Sequence, residues 1–321
     1  MDISNLTGLE KPLTKLIEVT AKGIGELWAP KQILRIANAK AKAEEIRTES
    51  ELRVNLMKSQ QDHSLDPSAR MEPTLAIRSD ARVHYQQITA QENIENITRY
   101  AAIHLPPDVE EKAVDEDWIR RFFSTAQDIC SSQMQEVWGK ILAGEVAKPG
   151  QFSLRTLDAV RNISQKEAQI FQTACALLIQ KQAILLGDKR PSELNKYGLS
   201  YGDILSLVDA RLVLTPQATV QSFNFLKLAK GSGVFLLMMG DICLQGTRTL
   251  DEQLSLDVLE LTTVGRELAT LIPATHHHDH ISSICELLAK RGCKVQWSKY
   301  EPSGKAQRFA WRDWPEHSDF S

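Results

Sequence analysis

"MQEVWGKILAGEVAKPGQFSLRTL" (Met134–Leu157) decides how this 321-residue chain folds. Met134, Val137, Trp138, Ile141 and Leu142 recur every three or four residues, which places them on one helix face. Ser132 precedes Gln135 by three, the spacing of a capping box, and Pro149-Gly150 ends the pattern in a turn. Ser153 can cap a short second helix along Leu154, Leu157 and Val160. Glu136, Lys140 and Glu145 flank Trp138, with Glu136 and Lys140 spaced as an i,i+4 ion pair on an exposed side. Gly139 and Gly144 permit a neighbouring helix or helix end to come close. The stretch reads as tightly packed core, not as a catalytic site.

Working outward, "VDEDWIRRFFSTAQDIC" (Val114–Cys130) sets Trp118, Phe122, Ala126 and Ile129 on one face behind an acidic start that suits the helix dipole. "SQKE" (Ser164–Glu167) is a second capping box and opens a helix along Phe171, Cys175 and Leu178. These segments predict a four-helix unit over about residues 108–186, with Trp118, Phe122, Trp138, Ile141, Leu157 and Phe171 buried in one cluster.

Toward the N-terminus, Leu13, Leu16, Ile17, Ile24, Leu27 and Trp28 form the stripe of a short amphipathic helix, a candidate interaction surface for a protein or a membrane. Residues 30–59, rich in Ala, Lys, Glu and Arg, read as a long solvated helix, and the Asp66-Pro67 and Glu72-Pro73 breaks as a linker. From Ile77 a stripe continues through Ala81, Tyr85, Ile88, Ile94, Ile97, Ala101 and Leu105, spaced like a coiled-coil seam. Tyr85, Ile88, Ile94 and Ile97 are its candidate helix-pairing residues.

After about residue 190 the pattern turns β-branched and aromatic. "AKGSG" (Ala229–Gly233) is a turn between strands, "LSLDVLELTTVGREL" (Leu254–Leu268) a strand leading into a Thr-capped helix, and "HISSICELLAKRGC" (His280–Cys293) a helix. "KVQWS" and "QRFAW" can close as a hairpin around Trp297 and Trp311. The expected fold is therefore mainly α with a smaller α+β C-terminal domain. N-terminal amphipathic and long helices occupy 1–105, a compact helical core with the four-helix unit 106–190, and the α+β domain 191–321.

Composition limits the function. A net charge of −3 gives no basic field for nucleic acid. Five scattered cysteines, an odd number without a CxxC pair, suit reduced thiols inside a cell. The N-terminus does not read as a secretory signal, and no apolar run is long enough to span a membrane. A cytoplasmic protein is expected, with membrane association of the N-terminal helix as the alternative. "HHHDH" (His276–His280) is the loudest metal candidate, through His276, His278 and His280, but adjacent side chains rarely converge on one ion, and a helix-start loop explains it. Asp108 with "EEK" (Glu110–Lys112) sits too close in sequence for a nuclease centre, and "KGSGV" lacks the rest of a P-loop. HExxH and GxSxG are absent, so enzyme activity is the weaker class and no cofactor is expected.

"QENIENI" (Gln91–Ile97), "VDEDWIRRFF" (Val114–Phe123), the opening motif, "LTTVGREL" (Leu261–Leu268) and the start "LTKLIEVTAKGIG" (Leu13–Gly25) together resemble an uncharacterised bacterial family, a domain of unknown function. More distantly, the order of helices from Pro106-Pro107 through "WGKILAGE" to "ISQKEAQIF" is similar to the Abi-alpha proteins of abortive infection. Neither resemblance brings catalytic residues. Together they imply a non-enzymatic interaction protein in phage defence or stress, acting as a homo-oligomer or by docking its N-terminal helices on a partner or membrane. Two alternatives remain: a DNA-binding regulator with a winged-helix-like unit at Leu254–Leu268, and a metal-dependent hydrolase built on the His276–His280 loop.

Overall fold

A computed structural model describes residues 10–25, 74–186, 191–215, 219–223, 226–227, 232–249, 254–273, 275–299, 309–316 and 320. The chain divides into two compact units, Met1–Leu154 and Arg155–Ser321, where the sequence reading sets three regions.

The first unit is helical: α1 (Glu10–Ile24), α2 (Leu75–His104), α3 (Glu116–Ala126) and α4 (Ser132–Ala147). α3 starts where Asp115 accepts a hydrogen bond from the Trp118 backbone N–H at 2.9 Å, with Glu116 and Asp117 in the first turn. Its apolar face meets α4 through aromatic contacts: Trp118 stacks on Phe122 (5.0 Å between centroids), and Phe122 packs on Trp138 (5.2 Å). The capping box expected at Ser132 and Gln135 does not form; Ser131 is the N-cap and makes no side-chain cap hydrogen bond. The Gln135 amide instead donates to Asn93 Oδ1 (3.0 Å) and the Ile129 carbonyl (2.9 Å), because it is buried among groups that need a donor.

α1 corrects one expectation. Its stripe packs on α3 and α4 of its own unit, burying Leu13, Leu16 and Val19 and leaving Ile17 and Ile24 half-buried. Gly23 lies so close to Phe123 that a Cβ there would overlap the ring, and Lys15 Nζ donates to the Glu110 carbonyl at 2.7 Å. Leu13 and Leu16, offered as part of an interaction surface, are thus spent inside the unit, while Ile17 and Ile24 keep part of their surface exposed. Leu27, Trp28 and the long helix expected over 30–59 lie outside the described residues.

The second unit is α+β, as the sequence pattern requires. It runs through α5 (Leu154–Asn162), α6 (Gln165–Cys175), β1 (Leu178–Ile179), β2 (Ala183–Leu185), a 3-10 helix (Pro191–Tyr197) and α7 (Tyr201–Asp209). Next come β3 (Thr219–Phe223), β4 (Leu226–Lys227), β5 (Ser232–Met239), β6 (Ile242–Thr249) and β7 (Leu254–Glu260). α8 (Thr263–Ala269), α9 (His278–Lys290), β8 (Lys294–Lys299) and β9 (Arg312–Asp313) complete the order. The strands among the described residues form one antiparallel sheet, β3-β7-β2-β1-β5-β6-β8-β9, with β4 also paired to β5.

β5 alternates as a half-covered strand must: Phe235, Leu237 and Met239 are buried, while Val234, Leu236 and Met238 are half-buried. α9 covers the buried face with Ile281, Ile284, Cys285 and Leu288, joined there by Val295 and Trp297. Between β5 and β6 the loop is only Gly240-Asp241, and Gly240 takes φ +62° as a two-residue hairpin demands. The closing hairpin forms one step beyond the expected residues: Trp297 pairs with Arg312, whose guanidinium lies 4.9 Å over the indole. Leu157 and Phe171 are buried here, in the second unit, so the six-residue cluster expected of one four-helix core is divided between two.

Candidate functional site

The opening motif is an interlock. Glu145, 1 % exposed, accepts hydrogen bonds from the backbone N–H groups of Gly150 (2.6 Å) and Phe152 (2.9 Å), and Trp118 Nε1 donates to the Phe152 carbonyl at 2.8 Å. A Cβ on Gly139 would overlap Tyr100 and come within 2.9 Å of the Ala101 backbone, so glycine sets how closely α4 meets α2. Trp138 is fully buried. These residues hold the core and leave no reacting atom exposed. On the surface beside them Lys140 pairs with Glu136 at 2.8 Å, and its hydrogen bond holds the Glu136 carboxyl below the usual range against partial burial.

The His loop separates rather than converges. His276 pairs with Asp241, the His278 ring meets Phe320 at 5.1 Å, and His280 is buried against Tyr197 at 4.8 Å. Among the described residues no group of three or more His, Cys, Asp or Glu side chains is placed to hold a metal ion. The 254–268 segment supplies β7, which lies between β3 and β2 in the sheet, and the seven-residue α8, whose Val264, Gly265, Leu268 and Ala269 are buried. A groove of about 750 Å³ in the same unit is lined by Arg155, Arg211 and Arg266 against Asp158, Glu167 and Asp209, so its charges balance and select no ligand class.

α2 is different. Thr74 caps it, accepting from the Ile77 N–H at 3.4 Å, and its 30 residues span about 45 Å. From Asn93 onward it is built into the first unit: Asn93 Nδ2 donates to the Gln127 carbonyl (2.8 Å), and Ile94, Ile97, Thr98 and Ala101 are buried. Before Asn93 it projects. Leu75 is 75 % exposed, Ile77 59 %, Tyr85 70 % and Ile88 47 %. Of the four candidate pairing residues, Ile94 and Ile97 are therefore core, and Tyr85 and Ile88 are surface.

The single seam expected over 77–105 is two stripes. At about 100° per residue, Ile77, Ala81, Tyr85 and Ile88 fall within about 80° of one another, and Ile94, Ile97 and Ala101 face about 150° away from them. A helix whose apolar side rotates part-way along needs one neighbour for each side, and among the described residues the first unit supplies the second only. Asn93 marks the change; a polar residue inside an apolar pattern was its one trace in the sequence.

The residues from Ile77 to Cys285, well over half of the chain, match a family described as a protein of unknown function, DUF2806. The chain belongs to the DUF2806 family. The DUF2806 match begins at the exposed stripe of α2 and ends inside α9, so it takes in the projecting half, the interlock and most of the sheet. It agrees with the coarser resemblance drawn from the motifs, while the likeness to Abi-alpha proteins rests on the motifs alone. No curated protein and no solved structure matches the chain. Among the described residues no helix is long and apolar enough to cross a membrane.

Proposed function

We propose that this protein is a non-enzymatic interaction protein that docks the projecting half of α2 on a protein partner, and that it serves in phage defence as the Abi-alpha resemblance implies. One observation carries the reading: Ile77, Tyr85 and Ile88 lie exposed on one stripe of a helix whose other end is locked into a core. A helix in a protein draws most of its stability from packing an apolar face, and clustered exposed apolar side chains mark contact surfaces. Tyrosine at the centre of such a stripe suits a protein contact. A membrane fits less well, because Arg78, Arg82, Asp80 and Glu92 mix both signs around the helix instead of forming a basic face.

Photo-crosslinking in the producing cell tests this. A photoreactive residue at position 85 is expected to give a discrete crosslinked species, and one at exposed Glu111 none. Equal crosslinking at both positions, or none at either, refutes a docking role for α2. The defence role further requires that Tyr85→Asp with Ile88→Asp abolish protection against plaque formation while the far-UV spectrum stays unchanged.

A further inference from the structure

The exposed stripe carries its own complement. Arg78, Tyr85 and Glu92 are spaced seven apart, so they form one row along the projecting half, drifting only about 20° per step. Ile77, Ala81 and Ile88 run beside that row. All three row members are exposed, and Arg78 and Glu92 make no ion pair with any described residue. Arg82, four residues after Arg78, adds a second cation at the same end, a like-charge spacing that is mildly unfavourable unless an anion meets it. Glu95 stands at the other end, its carboxylate accepting from Gln91 Nε2 at 2.9 Å. The row therefore reads positive, aromatic, negative from its N-terminal end to its C-terminal end.

That order is self-complementary in one direction only. Two copies laid antiparallel about Tyr85 bring Arg78 of each against Glu92 of the other and place the two tyrosines together on the axis. Laid parallel and in register, they set arginine on arginine and glutamate on glutamate. Residues on the same flank of an apolar stripe face each other across an antiparallel helix pair, so the row meets itself without rotating either helix.

We propose that the partner of the projecting half of α2 is a second copy of this chain, paired antiparallel about a two-fold axis at Tyr85. The proposal rests on the docking reading above and names its occupant. It is an isologous contact, in which the same patch serves both copies and closes at the dimer. A contact of one helix on one helix belongs to the small end of interface sizes, so a weak dimer is expected, populated at micromolar concentrations and above. Its ion pairs are exposed, so added salt weakens it.

Sedimentation velocity of the full chain, from micromolar to hundreds of micromolar, tests the pairing. Wild-type protein is expected to shift from monomer to dimer. Arg78→Glu and Glu92→Arg, each replacing two attractive pairs by two repulsive ones, are each expected to weaken the dimer about tenfold. The double variant re-forms both pairs with reversed sign and is expected to restore it. Ile88→Asp is expected to leave a monomer, and circular dichroism of every variant, all at exposed positions, checks that the fold is kept. A dimer that Ile88→Asp dissociates but the charge variants leave unchanged overturns the antiparallel pairing and keeps α2 as the docking element. A dimer untouched by Ile88→Asp overturns both. A monomer throughout overturns self-pairing and gives the surface to a different occupant.

Discussion

Acid should loosen the second unit through a single side chain, His280. It is 2 % exposed, and among the described residues neither ring nitrogen has a partner in good hydrogen-bond geometry. Its ring meets Tyr197 at 4.8 Å; His277 meets the same tyrosine at 5.2 Å, and Lys196 Nζ lies 5.0 Å over that ring. Burial is the main reason its pKa is pushed down from 6.5 to about 4; His277 acts the same way, the backbone of Leu177 acts against them, and Lys196 adds a smaller push downward. In the unfolded chain the imidazole takes up its proton near pH 6.5, and in the folded chain only near pH 4. Between those values the unfolded state holds more protons, so stability rises with pH and is lost as pH falls through the window. Linkage makes the loss about 2 kcal/mol at pH 5 and about 3 kcal/mol at pH 4. His280→Leu keeps the volume and removes the titration, so urea melts of wild type and variant should move apart by about 2 kcal/mol between pH 7.5 and pH 5, in the variant's favour. Two curves that stay parallel over that range would show that His280 is hydrated or protonated in the folded state, and the reasoning fails.

Three further outcomes follow from the first unit. Glu145→Gln replaces one of two acceptor oxygens by a donor facing a backbone N–H and should cost about 1 to 3 kcal/mol, read as a lower urea midpoint. Gly139→Ala forces α2 away from α4 and should cost about 1 to 3 kcal/mol, seen as a fall in melting temperature; an unchanged melt would mean the helices stand farther apart. Deleting the first 25 residues uncovers Phe123 and its neighbours, so the truncated chain should bind a hydrophobic dye and melt earlier, whereas a core independent of α1 would do neither.

Much of the fold was legible because burial and periodicity coincide in it. Trp118, Phe122 and Trp138 lie at helical spacing and are buried; Phe235, Leu237 and Met239 alternate and are buried. Thr262 caps α8, its hydroxyl accepting from the Gly265 N–H at 3.0 Å, as its position before an apolar run requires. What escaped were features that depend on partners far along the chain. Glu145 reads only as a residue flanking Trp138, and the folded turn at Gly150 and Phe152 makes it an interior acceptor. Gln135 reads as half of a capping box, and Asn93, 42 residues earlier, claims its amide instead. The candidate surface was half visible. Spacing alone gives a seam from Ile77 to Leu105, but a straight helix turns that seam around its axis, and the part that faces outward emerges only when the packed part is known.

The strand order fixes when this chain can finish folding as it leaves the ribosome. β1 and β2 can pair with each other once residue 185 has cleared the ribosome, but β2 must wait for β7 and β1 for the end of β5. Until then the short hairpin keeps both edges open while Ile179, Ala183, Ile184 and Leu185 have no cover. The helical unit before it relies on nearer contacts and can settle during that wait, because local contacts close faster than distant ones. Synthesis that stalls once residue 186 has cleared the ribosome, but before β5 and β7 have, would therefore leave the helical half attached to a sticky sheet fragment, a species in need of a chaperone.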